Sequence, residues 1–254
     1  LPLTEIIGRL PLMAACELMI FVCSPTASPL PAADEEASEI SQVGWPVVIK
    51  RRGTAKDLEA MLKDHRPRRL HFIGHADAQL DQGENTFGFV DDAGRLSAVQ
   101  PELLAELLSA PASMLGLELV FLNGCCSNKL GEACHRAGVR TVICWRTRVA
   151  DKAAKIFSSA FYRELKRGFE APTAFDEAKK AVTIETRSGS NHAGMSMQVP
   201  KYALIDPDGT KPASQFTPPP VCAGVPELIH GRVIKFNSFT SNSSAESVIR
   251  VQDV

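Results

Sequence analysis

The chain has 254 residues, enough for one α/β domain with flanking segments, and its 28 basic residues almost balance its 29 acidic ones. No long basic stripe is present, which excludes nucleic acid as an expected partner. The seven cysteines are scattered and odd in number, unlike the cysteines of a disulfide framework. We therefore expect a reducing compartment and a cytoplasmic location.

Of a signal peptide and a first core strand, the apolar run 10–22 favours the core strand. The run contains Glu17 and is too short to cross a bilayer, so no membrane partner is expected. The sequence begins with Leu rather than Met, and from this we expect an excerpt of a longer protein.

Short apolar runs alternate with amphipathic helical patterns along most of the chain. The runs predict strands over 18–23, 46–50, 70–75, 119–125, 139–145 and 202–206. The helical patterns predict helices over 31–40, 55–65, 101–109, 130–137, 151–167 and 172–184. Thr54 and Asp151 stand where they can cap two of these helices.

The alternation is typical of an α/β fold whose mostly parallel sheet, of about six strands, is flanked by helices on both faces. Residues 86–90 and 95–99 flank a turn and predict a β-hairpin insertion. Residues 186–199 predict a mobile loop. The pattern is lost after residue 217, where only 233–236 is a candidate strand and 238–247 are expected to be flexible.

Two predicted strands end in reactive side chains. His75 follows the run 70–74, and Cys125 follows the run 119–124. Since the carboxyl ends of parallel strands share one edge of a sheet, both side chains are expected at the same edge. A thiol and an imidazole placed together are the minimum equipment of a cysteine peptidase.

Each residue has a simpler interpretation when it is taken alone. A histidine at a strand end is often structural, and a buried cysteine often acts as a small hydrophobe. Cys126 is the rival nucleophile, but adjacent residues leaving a strand point in different directions, so only one should face the cleft. Cys134 and His135 lack the spacing of a zinc site relative to the Cys pair, and we expect no metal and no cofactor.

Several motifs, in one order along the chain, resemble the CHAT family. These are caspase-like cysteine peptidases of clan CD, related to separase and often fused to tetratricopeptide repeats. The resemblance covers about residues 17–207. The matching stretches are Gly74-His75, Asn123-Gly124-Cys125-Cys126-Ser127, the run 142–145, Asp151, the run 161–165 and Ala174-Phe175-x-x-Ala178.

The resemblance implies a caspase-like domain over 15–215, with an N-terminal flank over 1–14 and a flexible extension over 216–254. Cys125 would be the nucleophile and His75 its acid–base partner, with no third carboxylate required. Asp77 is close enough in sequence to tune His75, but we expect a solvated loop acid. The N–H of Cys125, with that of Gly74 or Ala76, would form an oxyanion hole.

Substrate contacts are predicted for Asp151 and for Trp145, although core packing is an equal alternative for Trp145. The sequence departs from the family pattern in two places. Ala76 stands where a Gly usually follows the histidine. In separase-type members, an acidic residue at the position of Lys155 binds the arginine that precedes the cleaved bond. This chain has a lysine there, so a preference for a basic residue before the cleaved bond is not supported.

Three functions remain in competition. The first is an endopeptidase acting on protein or peptide substrates, controlled by a tetratricopeptide-repeat or other regulatory domain. The second is a catalytically silent caspase-fold module used for interaction or signalling. The third, a Rossmann-like nucleotide binder, is weak because the chain lacks both glycine-rich phosphate-binding motifs.

Overall fold

The computed structural model describes residues 16–76, 78–79 and 85–231. Asp77, the flank 1–14 and the predicted segments 233–236 and 238–247 lie outside the described residues. No helix in the described part of the chain has both the length and the apolar character needed to cross a bilayer.

Strands and helices alternate through the first two thirds of the chain. The helices are α1 (Ala33–Ser41), α2 (Ala55–His65), α3 (Pro101–Met114), α4 (Asn128–Arg136), α5 (Asp151–Lys166) and α6 (Ala171–Thr183). The longer strands are β1 (Leu18–Cys23), β2 (Val47–Arg51), β3 (Arg69–Gly74), β5 (Asn85–Val90), β6 (Leu96–Val99), β7 (Leu119–Asn123), β8 (Thr141–Trp145), β9 (Thr186–Asn191), β10 (Ser196–Pro200) and β14 (Pro226–His230). The two-residue strands are β4 (Ala78–Gln79), β11 (Tyr202–Ala203), β12 (Phe216–Thr217) and β13 (Val221–Cys222).

The main sheet of the described chain has six strands in the order β14-β8-β7-β3-β1-β2. All neighbours pair in parallel except β14, which runs antiparallel to β8. Helices cover both faces, because alternate residues of each strand pack into two different cores. In β1, Leu18 and Ile20 pack towards α1, α5 and α6, whereas Met19 and Phe21 pack towards α2, α3 and α4. The predicted fold class is confirmed.

The predicted hairpin insertion is β5 and β6, and it packs over β3. Phe87 and Phe89 are fully buried, and their rings lie 4.1 and 5.3 Å from the ring of Phe72. The N–H of Gly88 donates to the carbonyl of His75 at 2.8 Å. The insertion therefore holds the backbone just beyond the end of β3.

Three local expectations are wrong. The stretch 186–199 is a hairpin of β9 and β10 and not a loop, because Gly194 at φ +75° makes the tight turn that pairs them. Within 216–254, residues 226–230 form β14, the sixth strand of the main sheet, rather than part of a flexible extension. Among the described residues, β11 pairs with β13. Asp151 does not cap α5; the N-cap is Ala150, without a side-chain bond.

We predict that Thr54→Ala lowers the free energy of unfolding by about 1 kcal/mol. Thr54 and Asp57 form a capping box at the start of α2, with hydrogen bonds of 3.2 and 2.7 Å. These bonds lower the pKa of Asp57, so their contribution is present above its ordinary pKa and is lost as pH falls through the lowered value. Urea denaturation measures the change, with Thr210→Ala, at an exposed site outside helices and strands, as the control. Equal effects of the two substitutions would contradict the prediction.

Candidate active site

The pairing of β3 with β7 brings the two reactive residues to one edge of the sheet. The strands run in parallel with Ile73 opposite Asn123, and His75 and Cys125 follow each of these residues by two positions. The segments that follow the two strands stay close beyond the last paired residues, since a Cβ placed on Gly124 would lie 2.4 Å from the carbonyl oxygen of Gly74. Both side chains line one cleft at the carboxyl ends of the strands.

The cleft lies between the segment that leads into α1, the ends of β3 and β7, and the start of α5. Its lining residues are Leu30, Ala32, Ala33, Glu36, Ile73, Gly74, His75, Asn123, Gly124, Cys125, Val149, Asp151 and Ala154. Its cavity volume is about 40 Å³. That space admits a few water molecules and no large side chain, so a substrate would have to widen the cleft.

The Cys125 thiol is half-buried and contacts the segment just before α5. The backbone N–H of Val149 donates to Sγ at 3.5 Å, and Sγ lies 3.9 Å from the Val149 carbonyl oxygen. The N-terminus of a helix favours negative charge. We expected the start of α4 to stabilise a thiolate. The contact that the structure adds is with Val149, two residues before Asp151 at the start of α5.

The other cysteines differ in their surroundings. Burial raises the pKa of Cys23 and of Cys134 to about 12, and it raises the pKa of Cys144 further. These three thiols stay protonated and unreactive. Cys126 adopts a left-handed backbone with φ 52°, its N–H donates to the Thr147 carbonyl at 3.0 Å, and it does not line the cleft.

The imidazole of His75 is oriented by the segment that follows β1. Its Nε2 lies 2.8 Å from the carbonyl oxygen of Ser28 and 3.3 Å from the Ser28 hydroxyl. A carbonyl only accepts hydrogen bonds, so Nε2 carries a proton. Nothing in the sequence pointed to Ser28, because any residue at this position presents the same backbone carbonyl oxygen.

The predicted oxyanion donors lie around Gly124. The backbone nitrogen of Ala76 would lie 3.2 Å from a Cβ on Gly124, and Gly74 and Ala76 are both buried. Cys125 supplies the N–H next along the chain. The Gly74 group that faces Gly124 is its carbonyl oxygen, an acceptor, and the role of the three backbone N–H groups as oxyanion donors remains a prediction.

A buried polar network lies beneath the cleft and centres on Glu36, which is only 2% exposed. Its Oε1 accepts hydrogen bonds from His71 Nε2 at 2.8 Å, Asn123 Nδ2 at 2.6 Å and Ser158 Oγ at 2.8 Å. One carboxylate oxygen therefore joins α1, β3, β7 and α5. A sequence signal existed, since Glu36 falls on the apolar stripe of α1 with Ala33, Ala37 and Ile40.

The prediction that Trp145 contacts substrate is wrong. Its side chain is fully buried and packs against Phe157, with ring centroids 5.4 Å apart. Its Nε1 donates to Asn123 Oδ1 at 2.7 Å, so the Asn123 Nδ2 group is the one that donates to Glu36. Trp145 thus belongs to the core that supports Asn123, two residues before the thiol.

Asp151 does line the cleft, on the first turn of α5. Burial raises the pKa of its carboxyl group, the nearby charge of Glu36 raises it further, and the charge of His75 acts in the opposite direction. Lys155 lies one turn later, and its Nζ bonds Glu35 at 3.1 Å and Glu39 at 2.8 Å on α1. Lys155 is not among the residues that line the cleft.

The fold and the site define a class, the caspase-like α/β domains. The model of the CHAT domain family matches residues 18–204. The chain therefore belongs to the CHAT domain family, as its motifs predicted. No curated protein matches the sequence.

The solved structures to which the chain shows weak similarity include kinases of very different sequence. A Bacillus subtilis pyridoxal kinase, solved as an ADP complex, is 10% identical, with a TM-score of 0.37 over 68% of this chain and 93% of that chain. A phosphomethylpyrimidine kinase from Clostridium difficile 630 is 13% identical, with a TM-score of 0.30 over 66% of this chain and 98% of that chain. Overlaps this weak carry no argument about function.

We predict that Glu36→Ala lowers the free energy of unfolding by about 3 kcal/mol or more, because it removes the buried acceptor shared by His71 and Asn123, while Ser158 keeps the Lys155 carbonyl as an acceptor. Asp34→Ala, on the same helix, is the matched control. Asp34 forms an exposed ion pair with Arg51 at 2.8 Å, and its loss should change the free energy by less than about 1 kcal/mol. Denaturant titration compares the two variants, and a Glu36→Ala effect as small as the control would contradict the role of the network.

The glycine before Cys125 and the alanine after His75 should be coupled. A Cβ on Gly124 would lie 2.9 Å from the Cβ of Ala76, so the two methyl groups compete for one space. We expect Gly124→Ala to destabilise the protein by about 1–3 kcal/mol through overpacking. Adding Ala76→Gly should recover part of that loss in a double-mutant cycle of unfolding free energies. Strict additivity of the two changes would contradict the coupling.

Proposed function

We propose that this domain is a cysteine endopeptidase that uses Cys125 and His75. The observation that carries the proposal is that the thiol and the imidazole line one cleft at the carboxyl ends of two paired strands. Membership of the CHAT family supports the same chemistry. The contrast with the buried, protonated core cysteines supports Cys125 as the reactive thiol.

In the proposed reaction, the Cys125 thiol gives its proton to His75, and Sγ attacks the carbonyl carbon of the scissile peptide bond as a thiolate. The oxygen takes the negative charge and accepts hydrogen bonds from the backbone N–H of Cys125 and of Gly74 or Ala76. His75 donates a proton to the leaving amine, and the C–N bond breaks to give a thioester. Water then attacks the thioester, releases the carboxyl product and restores the thiol.

The Ser28 carbonyl would act as a positioning group in this reaction. By accepting the Nε2 proton, it fixes the ring orientation and stabilises the imidazolium that forms when His75 takes up a second proton. This arrangement needs no carboxylate as third member. It agrees with the expectation from the family that a Cys/His pair is sufficient.

We also propose that a partner domain controls the enzyme. The cleft of the described chain has a volume of about 40 Å³, less than a large side chain needs, so a substrate can enter only after the cleft has widened. The segment around Ser28 and Leu30 forms one wall. A regulatory domain that shifts this segment, such as a tetratricopeptide-repeat array, would open the cleft to a protein substrate.

We predict that a biotinylated peptidyl acyloxymethyl ketone labels Cys125. A thiolate displaces the acyloxy group of this probe, and a peptide of mixed sequence places the ketone in the cleft. Cys125→Ala should abolish the label, and His75→Ala should slow labelling by about 100-fold or more. Intact-mass and peptide mass spectrometry measure the rate and the position of the label.

Cys126→Ala is the matched control, because it removes the adjacent thiol and leaves the cleft lining intact. It should keep most of the labelling rate. Labelling that persists in Cys125→Ala but disappears in Cys126→Ala would reverse the assignment. Absence of labelling with every peptide sequence tried would favour the catalytically silent module.

A further inference from the structure

We infer that Ser127 is a positioning residue, whose buried hydroxyl bridges the ends of β7 and β8 and thereby sets the orientation of the Cys125 thiol. The inference rests on the proposed function, because it assigns a role in the same reaction. Ser127 is not among the described residues that line the cleft, so it acts through the backbone of the turn and not through contact with a substrate.

The role starts from a gap between two neighbouring strands. The parallel pairing of β7 with β8 ends at Phe121 and Ile143, although the two strands continue to Asn123 and Trp145. Both of these last residues are buried. Buried backbone N–H and C=O groups need hydrogen-bond partners, and here the ladder no longer supplies them.

The Ser127 hydroxyl spans this gap. Its Oγ donates to the carbonyl oxygen of Leu122 at 3.0 Å and accepts from the backbone N–H of Trp145 at 3.0 Å. The residue is 0% exposed, so solvent does not compete for either bond. A hydroxyl can donate and accept at the same time, which is what the two bonds together require.

The two bonds close the turn that carries the thiol. The chain leaves β7 after Leu122 and returns to the carbonyl of that residue through the Ser127 hydroxyl, and Cys125 lies inside this loop. The N–H of Gly124 donates to the same carbonyl at 3.1 Å. The backbone carbonyl of Ser127 accepts from the N–H of Gly131 in α4 at 2.9 Å. One residue therefore connects the end of β7, the end of β8 and the start of α4.

The hydroxyl bridges the strands instead of capping the helix. Ser127 is the N-cap residue of α4, where a serine side chain usually accepts a hydrogen bond from a backbone N–H of the first turn. Within the described chain its side chain makes no such bond. The turn, and not the helix, thus uses the polar group of this residue.

The backbone between the thiol and Ser127 adopts an uncommon conformation. Cys126 has a left-handed backbone with φ 52°, which residues other than glycine seldom adopt. Such a conformation persists only where its surroundings impose it. The N–H of Cys126 donates to the Thr147 carbonyl at 3.0 Å on one side, and the Ser127 bonds hold the other. Loss of the Ser127 bonds would let this residue relax, and Cys125 would move with it.

The test compares a reagent that must be oriented with one that need not be. The peptidyl acyloxymethyl ketone has to bind in the cleft before the thiolate attacks it, whereas iodoacetamide reacts with an accessible thiolate from any direction. In the full chain, Ser127→Ala should slow probe labelling of Cys125 by about 100-fold and alkylation by less than about threefold, because a small misplacement penalises the oriented reaction. Peptide mass spectrometry measures both rates at Cys125.

Ser159→Ala is the matched control. Ser159 is also buried, and its hydroxyl donates to Glu39 at 2.9 Å, outside the cleft lining and the turn. The substitution removes a buried hydrogen bond of the same kind without touching the residues around Cys125. The ratio of the probe rate to the iodoacetamide rate should therefore keep the value of the unmodified chain.

A second pair of variants isolates the hydroxyl, even if Ser127→Ala does not fold. Threonine and valine have nearly the same shape, and only threonine keeps the hydroxyl. The ratio of the two rates should be at least about tenfold higher in Ser127→Thr than in Ser127→Val, because only Ser127→Thr retains the bonds to Leu122 and Trp145.

The outcomes separate this inference from the proposed function. If a folded Ser127→Ala chain keeps the ratio, or if Ser127→Thr and Ser127→Val show equal ratios, the positioning role is overturned and the peptidase proposal stands. If the probe does not label Cys125 in the unmodified chain while iodoacetamide does, the peptidase proposal fails and this inference fails with it.

Discussion

The parallel pairing of β3 with β7 is the constraint on which the site depends. Ile73 lies opposite Asn123, so the reactive residues that follow each strand emerge at the same height of the sheet. A shift of one residue would place a different side chain at the edge and turn alternate residues to the other face. The close approach of Gly124 to the Gly74 carbonyl keeps the two ends together after the ladder stops.

The core that fixes this register is partly polar. Glu36 bonds His71 on β3 and Asn123 on β7, while Tyr162 bonds the other nitrogen of His71 at 3.2 Å. A satisfied buried network accepts one arrangement of its members, whereas apolar contacts tolerate small slips. The network therefore gives the two strand ends a definite alignment, and the apolar cores on either face supply the bulk of the burial.

The sequence predicted the fold class and the position of His75 and Cys125 at one edge of the sheet, because both depend on local signals. The spacing of apolar residues marks strands and helices, and His75 and Cys125 each follow an apolar run. The sixth strand of the sheet was missed, because β14 is only partly buried and has no such period. Ser28 was missed because its backbone carbonyl has no sequence signature. Trp145 was ambiguous, because burial of a strand-end side chain depends on which helix packs over it.

The segment between β1 and α1 joins the chemistry of the site to the shape of the cleft. Its Ser28 carbonyl orients His75, and its Leu30 and Ala32 line the same cleft as Asp151. A movement that widens the cleft therefore also changes the hydrogen bond that sets the imidazole. Under the proposed function, one element would adjust both access and proton transfer, so a domain that binds this segment would need no contact with the thiol.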